Sequence, residues 1–343
     1  MHALPLGHPP IPPRKTGLLL INLGTPEATD YWSMRRYLKE FLSDRRVIEL
    51  NPALWWLILN GIILNFRPQK SGHAYEKIWN KELNESPLKT FTRAQADALR
   101  IELGAGDELL VDWAMRYGKP ALGDKLKELK QKGCERILLF PLYPQYSAAT
   151  TATALDKAYQ HLRNIRWQPA IRTVPPYYDQ AAYIKAVAST LKSYMKKLSW
   201  KPDRILIAFH GLPREYLNKG DPYHCHCQKS ARLIRKELGL SEEYAQIVFQ
   251  SRFGKTEWLK PYAQDTVESL PAAGVKNLLI ISPGFSSDCV ETLEELAIGL
   301  KETFEENGGE NFAVVPCLNA SAPSIAMLAE IARNELKGWP PVV

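Results

Sequence analysis

Three carboxylates and one imidazole in the second half of the chain have types and spacing suited to metal or proton chemistry. Asp288, Glu291 and Glu295 fall at i, i+3 and i+7 within LLIISPGFSSDCVETLEEL, the stretch from Leu278 to Leu296. On an α-helix that spacing places all three on one face. A row of acids there can hold a cation, strip its water or pass protons. The same residues also suit a plain capped helix start, because Asp288 and Glu291 have the capping-box spacing and acids favour helix N-termini. The imidazole is His210, at the end of RILIAFHGLP. A His in a loop stiffened by Gly211 and Pro213 suits proton or metal transfer; the alternative is a satisfied structural histidine.

The elements that must position these groups follow from the pattern of apolar runs. Leu278–Ile281 and Arg204–Phe209 read as buried parallel strands, so His210 and the acidic row both stand at strand C-terminal ends, where open α/β sheets bind ligands. Further strands are expected at Gly17–Leu23, Glu108–Met115, Arg136–Phe140, Trp167–Thr173, Ala245–Gln250 and Phe312–Pro316, with helical patterns between them. A long loop is expected from Arg214 to His226, and one helix from the acidic row to about Glu306. Each half holds about four strands alternating with helices. The expected fold is therefore α/β: two Rossmann-like lobes, each a four-stranded parallel sheet flanked by helices, with a cleft between them. The break at Pro175-Pro176 divides residues 16–175 from 176–322, and residues 323–343 form a final helix that packs back, plus a tail.

The totals narrow the class. The 343 residues are 45% hydrophobic and 24% charged, ordinary for a globular protein, and the net charge of +7 suits an anionic small molecule or membrane surface. No Lys/Arg block or helix-turn-helix pattern points to nucleic acid. The five cysteines are scattered and odd in number, so a reducing, cytoplasmic setting is expected. The Pro-rich N-terminus, MHALPLGHPPIPPRK, reads as a loose tail without a signal core. No run is long enough for a transmembrane helix. The absence of G-x-G-x-x-G after the first strand argues against a dinucleotide site.

Two stretches and one residue keep alternatives open. Trp55–Phe66, WWLILNGIILNF, is the most hydrophobic segment, and as a helix spans roughly 18 Å, too short to cross a bilayer. It reads either as the lip of an apolar pocket lying at a membrane interface or as a core helix. His224-Cys225-His226-Cys227 offers four metal-capable side chains without the second pair that a structural zinc site needs. Arg116, at a strand end, either meets a substrate carboxylate or pairs with a neighbouring acid.

The chain resembles the ferrochelatases, the family that inserts ferrous iron into protoporphyrin IX. The resemblance runs from about Leu18 to Ile331. It is carried by Leu20-Ile21-Asn22-Leu23-Gly24 with Pro26-Glu27, Glu85-Ser86-Pro87-Leu88, Arg116-Tyr117, and Tyr143-Pro144-Gln145-Tyr146-Ser147. His210-Gly211-Leu212-Pro213, Gly220-Asp221-Pro222-Tyr223, Gln250-Ser251 with Trp258, and Ser287-Asp288 through Glu291-Thr292-Leu293 complete it. It implies that His210 and Glu291 are the catalytic, iron-site pair, with Asp288 and Glu295 extending the metal row. It also implies that Tyr75, Ser86 and Arg116 line a porphyrin pocket with Leu23, Tyr143 and Trp258. The implied substrates are protoporphyrin IX and Fe2+, with no permanently bound cofactor. A monomer or homodimer is expected, with peripheral attachment to the inner face of the cytoplasmic membrane through the Trp55–Phe66 lip.

Two departures stand out. Animal ferrochelatases hold a [2Fe–2S] cluster on one internal Cys and a Cys-rich tail; here the internal position is Ala148 and the C-terminal residues carry no Cys. That cluster is not expected; one built from Cys225, Cys227, Cys289 and Cys317 is the alternative. Cys289 stands where animal members have a His beside the catalytic Glu. Rival functions are coproporphyrin ferrochelatase, another divalent-metal tetrapyrrole chelatase, and a haem carrier without turnover, which would have no use for acids behind His210.

Overall fold

The structure is a computed structural model that describes residues 6–8, 14–254 and 256–339. Most of the Pro-rich N-terminal tail and residues 340–343 lie outside the described residues. The first lobe runs β1 (Lys15–Gly24), α1 (Tyr31–Leu42), α2 (Pro52–Ile58), a π-helical Leu59–Ile63, α3 (Leu64–Ile78), α4 (Pro87–Glu102), β2 (Leu109–Tyr117) and α5 (Leu122–Gln131). It continues through β3 (Cys134–Pro141), a π-helical Ala148–Ala152, α6 (Thr153–Leu162) and β4 (Ala170–Thr173). The second runs α7 (Ala181–Met195), β5 (Arg204–His210), α8 (Arg214–Asn218), α9 (Tyr223–Leu238), β6 (Ala245–Gln250), α10 (Ala263–Ser269) and β7 (Asn277–Ile281). A π-helical Glu291–Leu300, α11 (Lys301–Glu306), β8 (Asn311–Val314) and α12 (Ala322–Leu336) complete it.

Both sheets are wholly parallel and share one topology, β2-β1-β3-β4 and β6-β5-β7-β8. The central strands are continuous apolar runs because helices cover both faces: Leu18, Leu19, Leu20 and Ile21 are all fully buried, as are Ile205 to Phe209. In each sheet the chain reverses direction beside the first strand, between β1 and β3 and between β5 and β7. Those two gaps are the topological switch points, where a crevice opens beyond the strand ends.

The lobes share a core. One apolar cluster joins Leu18, Leu20, Leu138 and Phe140 of the first sheet to Ile205, Ile207 and Phe209 of the second through α7, α9 and α12. The final helix packs back on α4 and α7.

Four local expectations are corrected. Residues 214–226 hold α8 and the first turn of α9 rather than a loop, and β4 is shorter than the expected Trp167–Thr173. The helix after β7 is π-helical over its first ten residues, with i→i+5 bonding in place of i→i+4, so α-helical spacing does not describe its face. Its N-terminal residue carries no side-chain cap, so the Asp288–Glu291 capping box is not formed. Of the two readings left open for Trp55–Phe66, the core one does not describe it: Trp56, Leu57, Ile62 and Phe66, with the preceding Leu54, are each more than half exposed, while Leu59 and Leu64 anchor the stretch inward.

Candidate active site

His210 ends β5, the central strand of the second sheet, in register with Gln250 at the end of β6. Its Nδ1 lies 2.6 Å from the Gly211 carbonyl oxygen. A carbonyl only accepts, so Nδ1 carries the proton and Nε2 keeps a lone pair in the neutral ring. Gly211 is required: a Cβ there would lie 2.7 Å from the Gln250 carbonyl oxygen and 3.1 Å from Cε3 of Trp258. Trp258 thus packs directly on the His210 loop, held by its bridge to Pro213. Among the described residues its buried Nε1 has no hydrogen-bond partner.

Glu295 is fastened from β6. Ser251 donates its backbone N–H to Oε1 at 2.7 Å and its hydroxyl to Oε2 at 2.5 Å, and the Gln250 amide donates to Oε2 at 3.3 Å. Ser251 does this from a left-handed conformation, φ 63°, which L-residues rarely adopt. Burial pushes the Glu295 carboxyl above its ordinary value, against the Ser251 hydroxyl bond and the charge of His210, with Glu291 pushing the same way as burial. His210, Glu291 and Glu295 therefore share one electrostatic neighbourhood. Glu291 also faces two buried phenols of the first lobe, Tyr75 and Tyr37. Burial first, then neighbours that include Glu291, raises both phenols, so they stay neutral.

The first lobe contributes its own switch point. Leu23, at the end of β1, packs against two apolar clusters, one that includes Tyr37, Tyr75 and Tyr117 and one of Leu88, Met115 and Cys289. Gly24 follows because any Cβ there would strike the Tyr117 carbonyl at 1.9 Å. Lys77 reaches across to Glu294 at 2.9 Å, tying α3 to the π-helix.

Other expected site residues are placed elsewhere or already partnered. Asp288 is not on the acidic face. It is buried in the loop before the π-helix, where Oδ1 accepts from Thr292 Oγ1 (3.0 Å) and Cys317 N (3.2 Å) and Oδ2 from Asn319 Nδ2 (2.7 Å). Its oxygens are taken by protein donors, and among the described residues no group of three or more His, Cys, Asp or Glu is placed to hold a metal ion. Ser86 is buried as the cap of α4, accepting from Lys89 N at 3.2 Å.

Arg116 pairs with Asp44 and with the hydroxyl and carbonyl of Thr153, both charged side chains being 10% exposed. A cavity of about 550 Å3 lies on this side of the molecule, lined by Arg116, Asp44, Asp156 and Lys157 rather than by His210. Tyr143 sits near Arg116 and Tyr37, its buried hydroxyl without a partner among the described residues.

The His224–Cys227 run lies on the first turn of α9, where its side chains diverge. His226 stacks on Tyr178 at 3.6 Å and accepts from Tyr146 N, Cys227 is buried and Cys225 exposed.

Comparison with known proteins decides what this architecture belongs to. The ferrochelatase family profile matches residues 15–336. The chain belongs to the ferrochelatase family. Proteins named ferrochelatase from Agrobacterium fabrum and Rhizobium meliloti are each 55% identical to it, covering 99% and 97% of this chain and 98% of each relative. Among solved structures, SirB from Bacillus subtilis with Fe3+ superposes with a TM-score of 0.56 at 10% identity over 94% of this chain and 96% of its own. A multi-domain Deinococcus radiodurans protein with structural similarity to chelatases gives 0.54 at 11% identity, over 93% of this chain and 55% of its own. At such identities the two structures speak for the fold alone. Gln250 and Ser251, quoted above only as part of a motif, prove to be the holders of Glu295. Tyr37 carried no signal in the sequence, being one aromatic among several on an amphipathic helix.

Proposed function

We propose that this protein is a protoporphyrin ferrochelatase that inserts Fe2+ into protoporphyrin IX and releases two protons, giving protohaem at the last step of haem synthesis. The observation that supports this best is His210, whose Nδ1 is bonded to the Gly211 carbonyl and whose Nε2 is thereby left as the ring nitrogen open to a substrate, in the electrostatic neighbourhood of a carboxylate whose affinity for protons is raised by burial. Iron can replace the two inner N–H protons of the macrocycle only if something takes them. His210 Nε2 is the first acceptor, and Glu295, with Glu291, receives protons from it and sheds water from the arriving iron. The reaction balances without a redox step: Fe2+ enters as a dication and two protons leave. Iron is a substrate, so no resident cofactor is invoked.

Leu23, Tyr75 and Trp258 make the apolar and aromatic wall for the ring, with Tyr143 and Arg116 on its far side. The exposed face Leu54, Trp56, Leu57, Ile62 and Phe66 would seat the enzyme peripherally on the inner surface of the cytoplasmic membrane and admit a greasy substrate. No described helix is long and apolar enough to cross a membrane. An apolar entrance favours protoporphyrin over the four-carboxylate coproporphyrin.

The test is anaerobic turnover followed by haem absorbance, with both porphyrins and several divalent metals. His210→Ala and Glu291→Ala should each lose nearly all turnover while still quenching on porphyrin binding. Near-native rates in both variants would remove the site from consideration.

A further inference from the structure

A buried polar network ties the loop that leads into Glu291, at the start of the π-helix, to a helix of the opposite lobe. Gln95, on α4 of the first lobe, is fully buried, and both ends of its amide are used. Its Nε2 donates to the carbonyl oxygens of Ser286 (3.1 Å) and Asn319 (3.0 Å), and its Oε1 accepts from Ser287 Oγ (3.1 Å). All three partners belong to the second lobe. Asn319, itself at φ 47°, grips Asp288 twice: it accepts from Asp288 N at 2.8 Å and donates to Asp288 Oδ2 at 2.7 Å. Asp288 then accepts from the hydroxyl of Thr292, the residue after Glu291, at 3.0 Å. On the first-lobe side, Thr92 lies one turn from Gln95 and accepts from Asn22 Nδ2 at 3.0 Å, next to Leu23 at the end of β1.

The run Asn22–Thr92–α4–Gln95–Asn319–Asp288–Thr292 thus joins the apolar wall of the first lobe to the start of the π-helix in the second. A buried amide is costly unless it is bonded, and Gln95 donates twice through Nε2 and accepts through Oε1. Glu291 must be aimed at a reaction centre that lies between two lobes, and misplacement of a reacting group by about 1 Å can cost on the order of 100-fold in rate. We propose that Gln95 is a positioning residue: it sets the loop before Glu291, and with it the start of the π-helix, in register with the opposing lobe, and Asp288 serves in that scaffold rather than as an iron ligand. The proposal rests on Glu291 being catalytic.

The experiment is a double-mutant cycle with Gln95→Leu and Glu291→Gln, measuring kcat, porphyrin KM and porphyrin binding well below each variant's melting temperature. Gln95→Leu alone is expected to lower kcat by roughly tenfold to a hundredfold, with porphyrin affinity within about threefold of wild type. In the Glu291→Gln background the same substitution should cost less than about twofold, because the residue it positions is already gone. Ser287→Ala, which removes one bond of the three, should show a smaller loss in the same direction, and decides the matter if Gln95→Leu does not fold. A wild-type kcat in both Gln95→Leu and Ser287→Ala, or penalties that multiply in the double variant, would overturn the inference while leaving Glu291 in place. A wild-type rate in Glu291→Gln alone would strike the Glu291 reading and this inference with it.

Discussion

Replacing Arg116 by Met separates two uses of one guanidinium. In the structure Arg116 and Asp44 are each 90% covered, and Asp44 also accepts from Tyr117 OH at 2.9 Å, from Arg46 N at 2.8 Å and from Thr153 Oγ1. Met keeps most of the volume but leaves the carboxylate buried without its counter-charge. Breaking a buried pair from one side costs about 3–5 kcal/mol. With an unfolding entropy of about 2.1 cal/mol/K per residue, and 343 residues unfolding as one unit through the shared core, Tm should fall by roughly 4–7 °C. The Asp44 carboxyl is held below its ordinary value: burial opposes this, but the hydroxyl of Thr153, the Arg46 amide, Tyr117 and Arg116 outweigh it. Its contribution to stability is therefore present above the ordinary carboxylate value and lost as pH falls through the lowered folded value. Asp44→Asn should flatten that acid limb. The assay is differential scanning fluorimetry along a pH series, beside porphyrin titration by fluorescence quenching. An unchanged Tm for Arg116→Met together with a weakened porphyrin affinity would refute the reasoning, because the guanidinium would then be acting on a substrate carboxylate.

Three further outcomes are expected. Replacing Trp56, Leu57 and Phe66 together by Ser removes exposed apolar surface only, so Tm should hold, surface changes normally staying within about 0.5 kcal/mol, while sedimentation with anionic liposomes drops; unchanged sedimentation sinks the membrane-lip proposal. Gly211→Ala forces its methyl group against the Gln250 carbonyl and the Trp258 ring, and overpacking of about 1–3 kcal/mol should raise porphyrin KM on the order of tenfold; a native KM would show that Trp258 does not touch the substrate. Glu295 binds its proton more tightly folded than unfolded, so wild-type stability declines as pH rises from the ordinary carboxylate value through the raised folded one. Glu295→Gln should lose that slope, gain stability at neutral pH and lose at least about 100-fold in turnover, as urea midpoints and rates along a pH series would reveal; a slope kept in the variant contradicts the assignment.

Much of the fold was legible in the chain before any coordinate. Parallel strands covered on both faces must be apolar throughout, so GLLLINL, RILIAFH and LLII announce themselves, and their alternation with helices leaves little besides two parallel sheets. His210 was legible for the same reason: a polar residue ending such a run stands at the mouth of the sheet. The identity of the family was carried by long motifs in a fixed order, and the comparisons agree with it.

What the chain alone left undecided is what each side chain meets once distant segments come together. Arg116 read equally well as a substrate clamp or an ion-pair partner, and only folding brings Asp44, 72 residues earlier, beneath it. Trp55–Phe66 read equally well as core or lip, because hydropathy records a segment's composition and not whether anything covers it; the fold covers Leu59 and Leu64 and leaves Trp56 and Phe66 bare. Asp288 looked like the head of an acidic row because α-helical spacing was assumed. The π-helical start breaks that period, and Asn319 and Cys317, some thirty residues on, occupy its oxygens. Local runs and periods are written in neighbouring residues, whereas partners and exposure are properties of the packed chain.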